Sequence, residues 1–442
     1  MEHPDDTPTS SRPRWRWLGL DTVVPVRLAL IVAMILVWSV VTRQVIAASP
    51  TADTLLERQL LGDARDGRLD ELSFLDASLI ASGIDQPQRL LECRQRYEEL
   101  SDRFRAQESQ ITTPRELAVA VLAFLHREIL TEEYRIKTTR VDQALATGQY
   151  NCVASTILFR CLSAELGVVP VVMATPSHVF CRYLGSERLD VETTCPDWFA
   201  LPPSSDIIAN HPANQSNIEL RILSDVELLG KLFYNRATDK LDSKKYAAAC
   251  ELLRMSLVLD PADGAARENL LAAINNWSLQ RCEAGDFSHA VQLLARGAAI
   301  SPDYLPIQMN DLHVHQQWAL DLCQRGQFSE ALALLASSYQ RRPDVQLFER
   351  GRFAVYGLWA DSLFAKGKDA EALHLFDQAS QQHPGRLDVG QREISSILRA
   401  VQQRIERSQW TQARELLEQG LARQPDCPQL NSKVRDLTDA KS

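Results

Sequence analysis

The sequence predicts a multidomain, mainly α-helical protein in which an α+β domain is followed by an α-solenoid of helical hairpins. Three observations lead to this fold class. The chain has 442 residues, which exceeds the roughly 100–200 residues of a typical domain. Its carboxyl half repeats with a constant period, seen as regularly spaced prolines. Its middle contains short runs rich in β-branched residues, separated by turn-forming residues, a pattern typical of strands.

The amino-terminal residues predict a cytoplasmic tail and a membrane segment. Residues 1–22 carry three arginines, and 23–43 contain the apolar stretch VVPVRLALIVAMILVWSVV. As a helix, this stretch is long enough to cross the roughly 30 Å apolar core of a bilayer. Because the arginines precede it, the positive-inside bias puts 1–22 in the cytoplasm and the main body outside, anchored by a single membrane pass.

A cleaved signal peptide is the alternative interpretation of this segment. The uninterrupted apolar run covers only 28–41, and VIAAS at 45–49 offers small residues for a cleavage site. The protein would then be secreted or periplasmic. Both interpretations place the main body outside the cytoplasm.

Composition argues against several classes of function. The net charge is -9 and no basic stripe is present, so we expect no nucleic-acid partner. The nine cysteines form no CxxC pair, and His313 and His315 lie too close together to share a helix face. We therefore predict no metal and no cofactor. The sequence also lacks the GxSxG, Walker and GxGxxG motifs of serine hydrolases, nucleotide triphosphatases and dinucleotide-binding enzymes.

An α+β domain is predicted over 51–205. Residues 51–145 read as helices, with amphipathic spacing in ELAVAVLAFLHREIL at 116–130. Cys152 then opens a further apolar run with helical spacing. The segments PVVMAT, VFCRYL and RLDVET follow it and predict three short strands.

Three residues of this domain are candidates for thiol chemistry: Cys152, His178 and Glu192. A helix amino terminus and a nearby imidazole favour loss of the thiol proton, and a carboxylate fixes the tautomer of that imidazole. His178 and Glu192 lie on either side of a predicted hairpin turn, which can set them side by side. Asp190 is the alternative acid. Taken singly, each residue also fits a structural role: a buried small residue, a core histidine and a surface carboxylate.

Of four other residues around Cys152, three keep two interpretations and one has a single interpretation. Gln149 and Asn151 are either oxyanion donors or turn residues before the helix. Cys161 fits the core face of the same helix, whereas Cys195 is either a bystander or a thiol able to form a disulfide near the site.

The stretches GQYNCVASTILF and SHVFCRYLGSERLDVETT resemble the transglutaminase-like core of the papain-type superfamily. More narrowly, they resemble the bacterial branch related to the SirB1 amino-terminal domain, which is often joined to tetratricopeptide repeats. The resemblance covers about 113–200 and implies Cys152 as nucleophile, His178 as base and Glu192 as the orienting acid. The chain departs from the family in having glutamate where aspartate is common, and the segment between Cys152 and His178 is shorter than in classical transglutaminases.

A linker is predicted at 206–224, and five repeats at 225–430. Each repeat has a proline after the second helix and an alanine twelve positions before it, and both recur at one constant spacing: Pro261, Pro302, Pro343, Pro384, Pro425 and Ala249, Ala290, Ala331, Ala372, Ala413. The alanine allows two helices to approach closely, glycines such as Gly285 suit the turn between them, and the proline ends the hairpin. Stacked hairpins of this kind form a solenoid.

The hairpins resemble tetratricopeptide repeats. The family's small residue at the eighth position falls on Ala237, Ser278, Ala319 and Ala360, while the fifth copy has Val401. The period here is 41 against 34 in the family, and the extra length is close to two helical turns. The resemblance implies a groove for a protein or peptide partner. A carboxyl-terminal tail is predicted at 431–442.

Two hypotheses about function follow. The first is a membrane-anchored thiol enzyme, an amidase, peptidase or acyl transferase acting on peptide-like amides, with the repeats docking a protein partner. The second is a catalytically silent exported scaffold that acts through its repeats alone.

Overall fold

The computed structural model describes residues 54–107, 113–185 and 188–439, which belong to one compact unit spanning 52–442. The predicted tail at 1–22 and membrane segment at 23–43 lie outside these residues. No helix in the described part of the chain is both long and apolar enough to cross a membrane. The prediction of a mainly α protein with helical hairpins and a small sheet is confirmed.

Within the described residues, six α-helices precede the sheet: α1 (Leu55–Asp63), α2 (Phe74–Ala81), α3 (Pro87–Gln107), α4 (Pro114–Glu128), α5 (Val141–Thr147) and α6 (Cys152–Glu165). Their starts follow from local sequence. At α4, for example, Thr113 accepts a hydrogen bond from the Glu116 amide while the Glu116 carboxylate accepts one from the Thr113 amide, a capping box with Pro114 in the first turn. Such caps satisfy amides that have no partner inside the helix.

The sheet has four antiparallel strands in the order β3-β2-β1-β4: β1 (Val171–Ala174), β2 (Val179–Tyr183), β3 (Leu189–Val191) and β4 (Arg221–Leu223). Three of them are the predicted strands. The fourth lies within 206–224, where the sequence analysis predicts a linker. That prediction is wrong, because Val172 of β1 pairs with Leu223 and the same segment contributes helix α7 (Asp206–Asn210).

The two faces of the sheet pack against different parts of the chain. Cys181 and Tyr183 of β2 point toward α6, where the Tyr183 hydroxyl lies 2.8 Å from Ser163 Oγ. Phe180 points the opposite way and is covered by residues after β3, since the His211 ring lies 4.5 Å from its centroid. Both faces of the sheet are therefore largely buried at β2.

Five helical hairpins follow, as the repeat predicts. The first helices are α8 (Asp225–Asp242), α10 (Gly264–Glu283), α12 (Leu305–Gln324), α14 (Gln346–Ala365) and α16 (Leu387–Glu406). The second helices are α9 (Tyr246–Leu259), α11 (Phe287–Ile300), α13 (Phe328–Arg341), α15 (Asp369–Gln382) and α17 (Trp410–Arg423). All five repeat alanines are 0% exposed, which confirms that each lies where helices meet.

The turn between the two helices of a hairpin needs a residue with positive φ. Gly285, Gly326 and Gly367 adopt φ of 74° to 77° at this position. In the first and last repeats, Lys244 (φ 54°) and Ser408 (φ 61°) take the same place. Side chains with a Cβ adopt this conformation at a cost, so these two turns are strained relative to the other three.

The predicted tail at 431–442 is instead largely helical. Helix α18 (Pro428–Asp439) packs on the fifth hairpin, with Leu430 fully buried in its core. An additional helix of this kind covers the apolar face that the last repeat would otherwise expose.

The first repeats share a core with the α+β region. One apolar cluster runs from Leu56 in α1 to Leu293 in α11. Charged contacts reinforce the junction, since Arg236 of α8 lies 2.9 Å from the buried Glu57 carboxylate and donates to the Ala81 carbonyl. Arg221 of β4 binds Asp260 at the end of α9.

Candidate active site

The first residue of α6 is Cys152, whose side chain is largely buried. Asn151 caps the helix by accepting a hydrogen bond from the Ala154 amide at 3.0 Å, so its role is that of a turn residue. Gly148, with φ of 78°, makes the preceding turn possible, because a Cβ there would clash with Thr131 Oγ1. The thiol is thus held at the positive end of the helix dipole.

The β2–β3 hairpin brings His178 and Glu192 together. Cys181 pairs with Val191, so continuing the register opposes Phe180 to Glu192 and leaves His178 as a diagonal neighbour on the same face. His178 Nε2 and Glu192 Oε2 are 2.6 Å apart. Asp190, the alternative acid, is engaged elsewhere by Arg182 and Arg188.

The Cys152 side chain is near enough to His178 to contribute to the raised pKa of the imidazole. Since Glu192 occupies Nε2, Nδ1 is the nitrogen left to exchange a proton with sulfur. Burial lowers the pKa of His178, but interactions with Cys152 and Glu192 outweigh burial and raise it from 6.5 to about 10. The imidazole is therefore protonated at neutral pH, the state that pairs with a thiolate.

The Glu192 carboxylate, on a residue only 6% exposed, is surrounded by donors. Oε1 accepts from the Thr194 amide at 3.1 Å and from its hydroxyl at 2.6 Å, while Oε2 faces His178 and lies 3.4 Å from His211 Nε2. Burial raises the pKa of Glu192, but the interactions with His178, His211 and Thr194 outweigh it and hold the pKa well below its usual range. Glu192 therefore stays ionised and can balance a charged imidazole.

Hydroxyl contacts fix the acid relative to the helix that carries the thiol. Thr193 Oγ1 lies 2.8 Å from Ser155 Oγ and 3.1 Å from Thr156 Oγ1, both in the first turns of α6. His126 of α4 donates to the Thr193 carbonyl at 3.0 Å. The sequence gives no pattern that predicts these contacts, apart from the two threonines that directly follow Glu192.

Tyr134 is another contact that the sequence analysis missed. Its hydroxyl interacts with the Cys152 side chain, and its ring meets that of Tyr150 edge-on, with the two centroids 6.0 Å apart. Burial and the neighbouring Cys152 and Glu192 raise the pKa of Tyr134 to about 12, so the phenol keeps its proton and remains a donor. The side chain is 43% exposed and borders the thiol on the solvent side.

The remaining cysteines take no part in this cluster. All nine are free thiols in the described part of the chain. Cys161 is buried in the core as expected, and burial raises its pKa to about 12. Cys195 is half-buried, and burial likewise raises the pKa of its thiol. Neither environment favours a reactive thiolate.

His178, Glu192 and His211 also meet a first test for a metal centre, since one ligand atom from each lies within 4.8 Å of the others. The position of the proton on His211 argues against a metal centre here. The Ala213 amide donates to His211 Nδ1 at 3.3 Å, which leaves the neutral ring with its proton on Nε2, the atom that faces Glu192. A metal needs a lone pair at that atom. The cluster as built suits a shared proton better than a cation.

Comparison with known proteins yields partial likenesses only. No protein-family model matches the chain, and no curated protein matches it. The solved TPR domain of P58(IPK) is 12% identical over 49% of this chain and 60% of that chain, with a TM-score of 0.17. YrrB, a TPR protein with an unusual peptide-binding site, is 15% identical over 46% of this chain and 91% of its own, with a TM-score of 0.16. At these scores the tetratricopeptide interpretation rests on the repeated hairpins themselves.

Proposed function

We propose that the chain is a thiol enzyme of transglutaminase-like type that acts on peptide-like amides. One observation carries the proposal: a single imidazole, His178, lies 2.6 Å from the Glu192 carboxylate and also interacts with Cys152, the first residue of a helix. Nucleophile, base and orienting acid thus stand in the order that thiol catalysis requires.

In the proposed reaction, the proton of Cys152 is already held by His178, and the thiolate of this ion pair attacks the substrate carbonyl. A carbon–sulfur bond forms, and the first amide of α6, which has no partner inside the helix, is placed to donate to the oxyanion. The carbon–nitrogen bond then breaks as His178 gives its proton to the leaving amine. Water or another acceptor then attacks the thioester and passes a proton to His178, which releases the Cys152 thiolate and restores the ion pair. Glu192 remains ionised throughout.

The test is alkylation of the full-length chain by iodoacetamide across pH, with Cys152 quantified by mass spectrometry. A thiolate paired with an imidazolium reacts well below the midpoint of about pH 8.5 expected for an isolated cysteine. Cys161→Ala is the control that leaves the Cys152 profile unchanged. A midpoint near that of an isolated thiol, or no labelling in the folded protein, would leave the silent scaffold as the better description.

We also propose that the solenoid docks a protein or peptide partner. Supporting this is a cleft of about 600 Å³ in the fourth and fifth repeats, lined by Leu387, Ile394 and charged residues including Arg386. Leu387 is 81% exposed at its rim. Such repeat arrays present extended surfaces to partners, and an exposed apolar residue beside charges suits a peptide.

A matched pair of variants tests this docking. Leu305 and Leu387 are both exposed first residues of a first helix, two repeats apart, and only Leu387 lines the cleft. Leu387→Asp is expected to release partners captured by the wild-type chain, whereas Leu305→Asp retains them. Equal capture by both variants would place docking elsewhere.

We further propose that 23–43 anchors the protein in a membrane with the enzyme outside the cytoplasm. The support is the length and apolarity of the segment together with the arginines that precede it. Extraction of membranes with alkaline carbonate should leave the protein in the pellet. Release into the supernatant, with a new amino terminus near 45–49, would instead indicate a cleaved signal peptide.

A further inference from the structure

His211 lies in the segment for which the sequence predicts only a linker, yet it is one of the most enclosed polar residues of the α+β region. It is 4% exposed, and its ring packs between Phe180, at 4.5 Å, and Trp198, at 4.9 Å. Trp198 is itself fixed, because its indole N–H donates to the Asp190 carbonyl at 2.7 Å. The orientation of the His211 ring is thus set by aromatic packing on the sheet face that carries Glu192.

The protonation of His211 is set by its own backbone. His211 caps the short 3₁₀ turn Pro212–Asn214, with Nδ1 accepting the Ala213 amide hydrogen at 3.3 Å. A ring nitrogen that accepts carries no proton, so the proton of the neutral imidazole is on Nε2. This turn makes His211 a donor toward the interior of the protein.

The acceptor that faces this donor is the Glu192 carboxylate. His211 Nε2 is buried and has no partner of good hydrogen-bond geometry in the described part of the chain, but it lies 3.4 Å from Glu192 Oε2. This is the oxygen that binds His178 at 2.6 Å. Leaving a buried N–H group without an acceptor costs free energy, so the Nε2–H group of His211 is attracted to the Glu192 carboxylate. Hydrogen bonds of catalytic groups are often long before substrate binds and tighten afterwards.

We propose that His211 is a positioning residue of the thiol site, which holds Glu192 ionised and oriented by donating Nε2–H to its Oε2. The inference rests on the proposed function and extends the chain of contacts to Cys152, His178, Glu192 and His211. Glutamate has one more rotatable bond than aspartate, so its carboxylate needs more contacts to keep one direction. Thr194 donates to Oε1 of Glu192, and His211 faces the other oxygen, Oε2.

The test uses two variants of the full-length chain. His211→Phe keeps an aromatic ring between Phe180 and Trp198 but removes the donor. His211→Gln loses the ring but keeps an amide N–H able to reach Glu192 and an oxygen able to accept from Ala213. If His211 acts by packing alone, His211→Phe should behave like the wild type. If His211 positions Glu192, His211→Gln should be the variant that behaves like the wild type.

Two readouts separate the outcomes. The pKa of His178, followed by NMR of ¹⁵N-labelled histidine, should fall by about one pH unit in His211→Phe and stay within a few tenths of wild type in His211→Gln. The pH midpoint of Cys152 alkylation should rise by about the same amount in His211→Phe only, a tenfold change in thiolate at a fixed pH. Thermal denaturation checks that both variants fold.

The inference is overturned if His178 titrates alike in wild type and His211→Phe, or if both variants shift equally. These results differ from failure of the proposed function. In that case the wild-type alkylation profile is already that of an isolated thiol, while the His178 titration still decides whether His211 acts on Glu192.

Discussion

Replacing Glu192 by glutamine is the sharpest test of whether the site is an ion pair. The carboxylate receives hydrogen bonds on both oxygens, from His178 on one and from Thr194 on the other, and His211 Nε2 lies 3.4 Å from the first. Glutamine has a single oxygen, so its NH₂ group must face donors in either orientation. Glu192→Gln therefore removes the charge and leaves at least one buried donor without an acceptor.

The pKa shifts of His178 and Glu192 define the pH range in which Glu192→Gln destabilises the chain. Because the pKa of His178 is raised from 6.5 to about 10, its ionic contribution to stability is fully present below about pH 6.5 and is lost as pH rises through about 10. Because the pKa of Glu192 is lowered from 4.5, its contribution is present above about pH 4.5 and is lost as pH falls below that value. The destabilisation by Glu192→Gln should be greatest between these two limits.

Removing one partner of a buried ion pair typically costs about 3–5 kcal/mol. The His178 side chain is 24% exposed, so solvent screening puts the expected value at about 3 kcal/mol near pH 5.5, falling to about 1 kcal/mol near pH 10. Urea unfolding of the full-length chain, monitored by tryptophan fluorescence and circular dichroism, measures the difference in the free energy of unfolding at each pH.

Asp190→Asn provides the matched control. The Asp190 side chain is about as buried as that of Glu192 and lies on β3, two residues before it, but it is paired with Arg182. Guanidinium groups stay charged in proteins at every pH used here. The cost of Asp190→Asn should persist at about pH 10, where the cost of Glu192→Gln has largely gone. If the cost of Glu192→Gln does not change with pH either, the contact between His178 and Glu192 is a neutral hydrogen bond and the reasoning is refuted.

Three further changes test the supporting structure. Gly148→Ala should destabilise the chain by about 1–3 kcal/mol more than Gly167→Ala in urea unfolding. Both glycines have φ of 78°, but only at Gly148 would a Cβ clash, with Thr131, and equal costs would contradict that contact. Ser408→Gly should stabilise the chain by about 1 kcal/mol, because it relieves a φ of 61°, and an unchanged melting temperature would count against strain there. Tyr134→Phe should move the Cys152 alkylation midpoint up by about one pH unit, because a phenol that donates to the thiolate is lost, and an unmoved profile would assign Tyr134 to packing alone.

The solenoid was the most predictable part of the fold, because the residues that define each hairpin are close together in sequence and recur in five repeats. Helix boundaries recur with the period of the prolines, and each repeat alanine is buried where that period places it. Glycine marks the interhelical turn in three repeats only. Lys244 and Ser408 adopt the same conformation without any local signal, since the packing of the two helices imposes it on them.

The site was predictable in part. The order of Cys152, His178 and Glu192 along the chain suggested their contact, and the hairpin register explains it. His211 carried no such signal, because its segment shows neither helical nor strand periodicity and its role depends on packing against Phe180. Strand β4 was missed for a similar reason, as three residues are too few to show alternation.

The junction between sheet and solenoid shows that the two predicted domains are not independent. Strand β4 closes one edge of the sheet, and its Arg221 binds Asp260, which is fully buried at the end of the first hairpin. The apolar core continues through α11 without interruption. Cutting the chain at the predicted boundaries, 205 or 224, would expose this core and leave Asp260 or the strand without its partner. Because interiors are packed to high density and transmit strain, the smallest fragment expected to keep Cys152, His178 and Glu192 in place ends after the second hairpin, near residue 303.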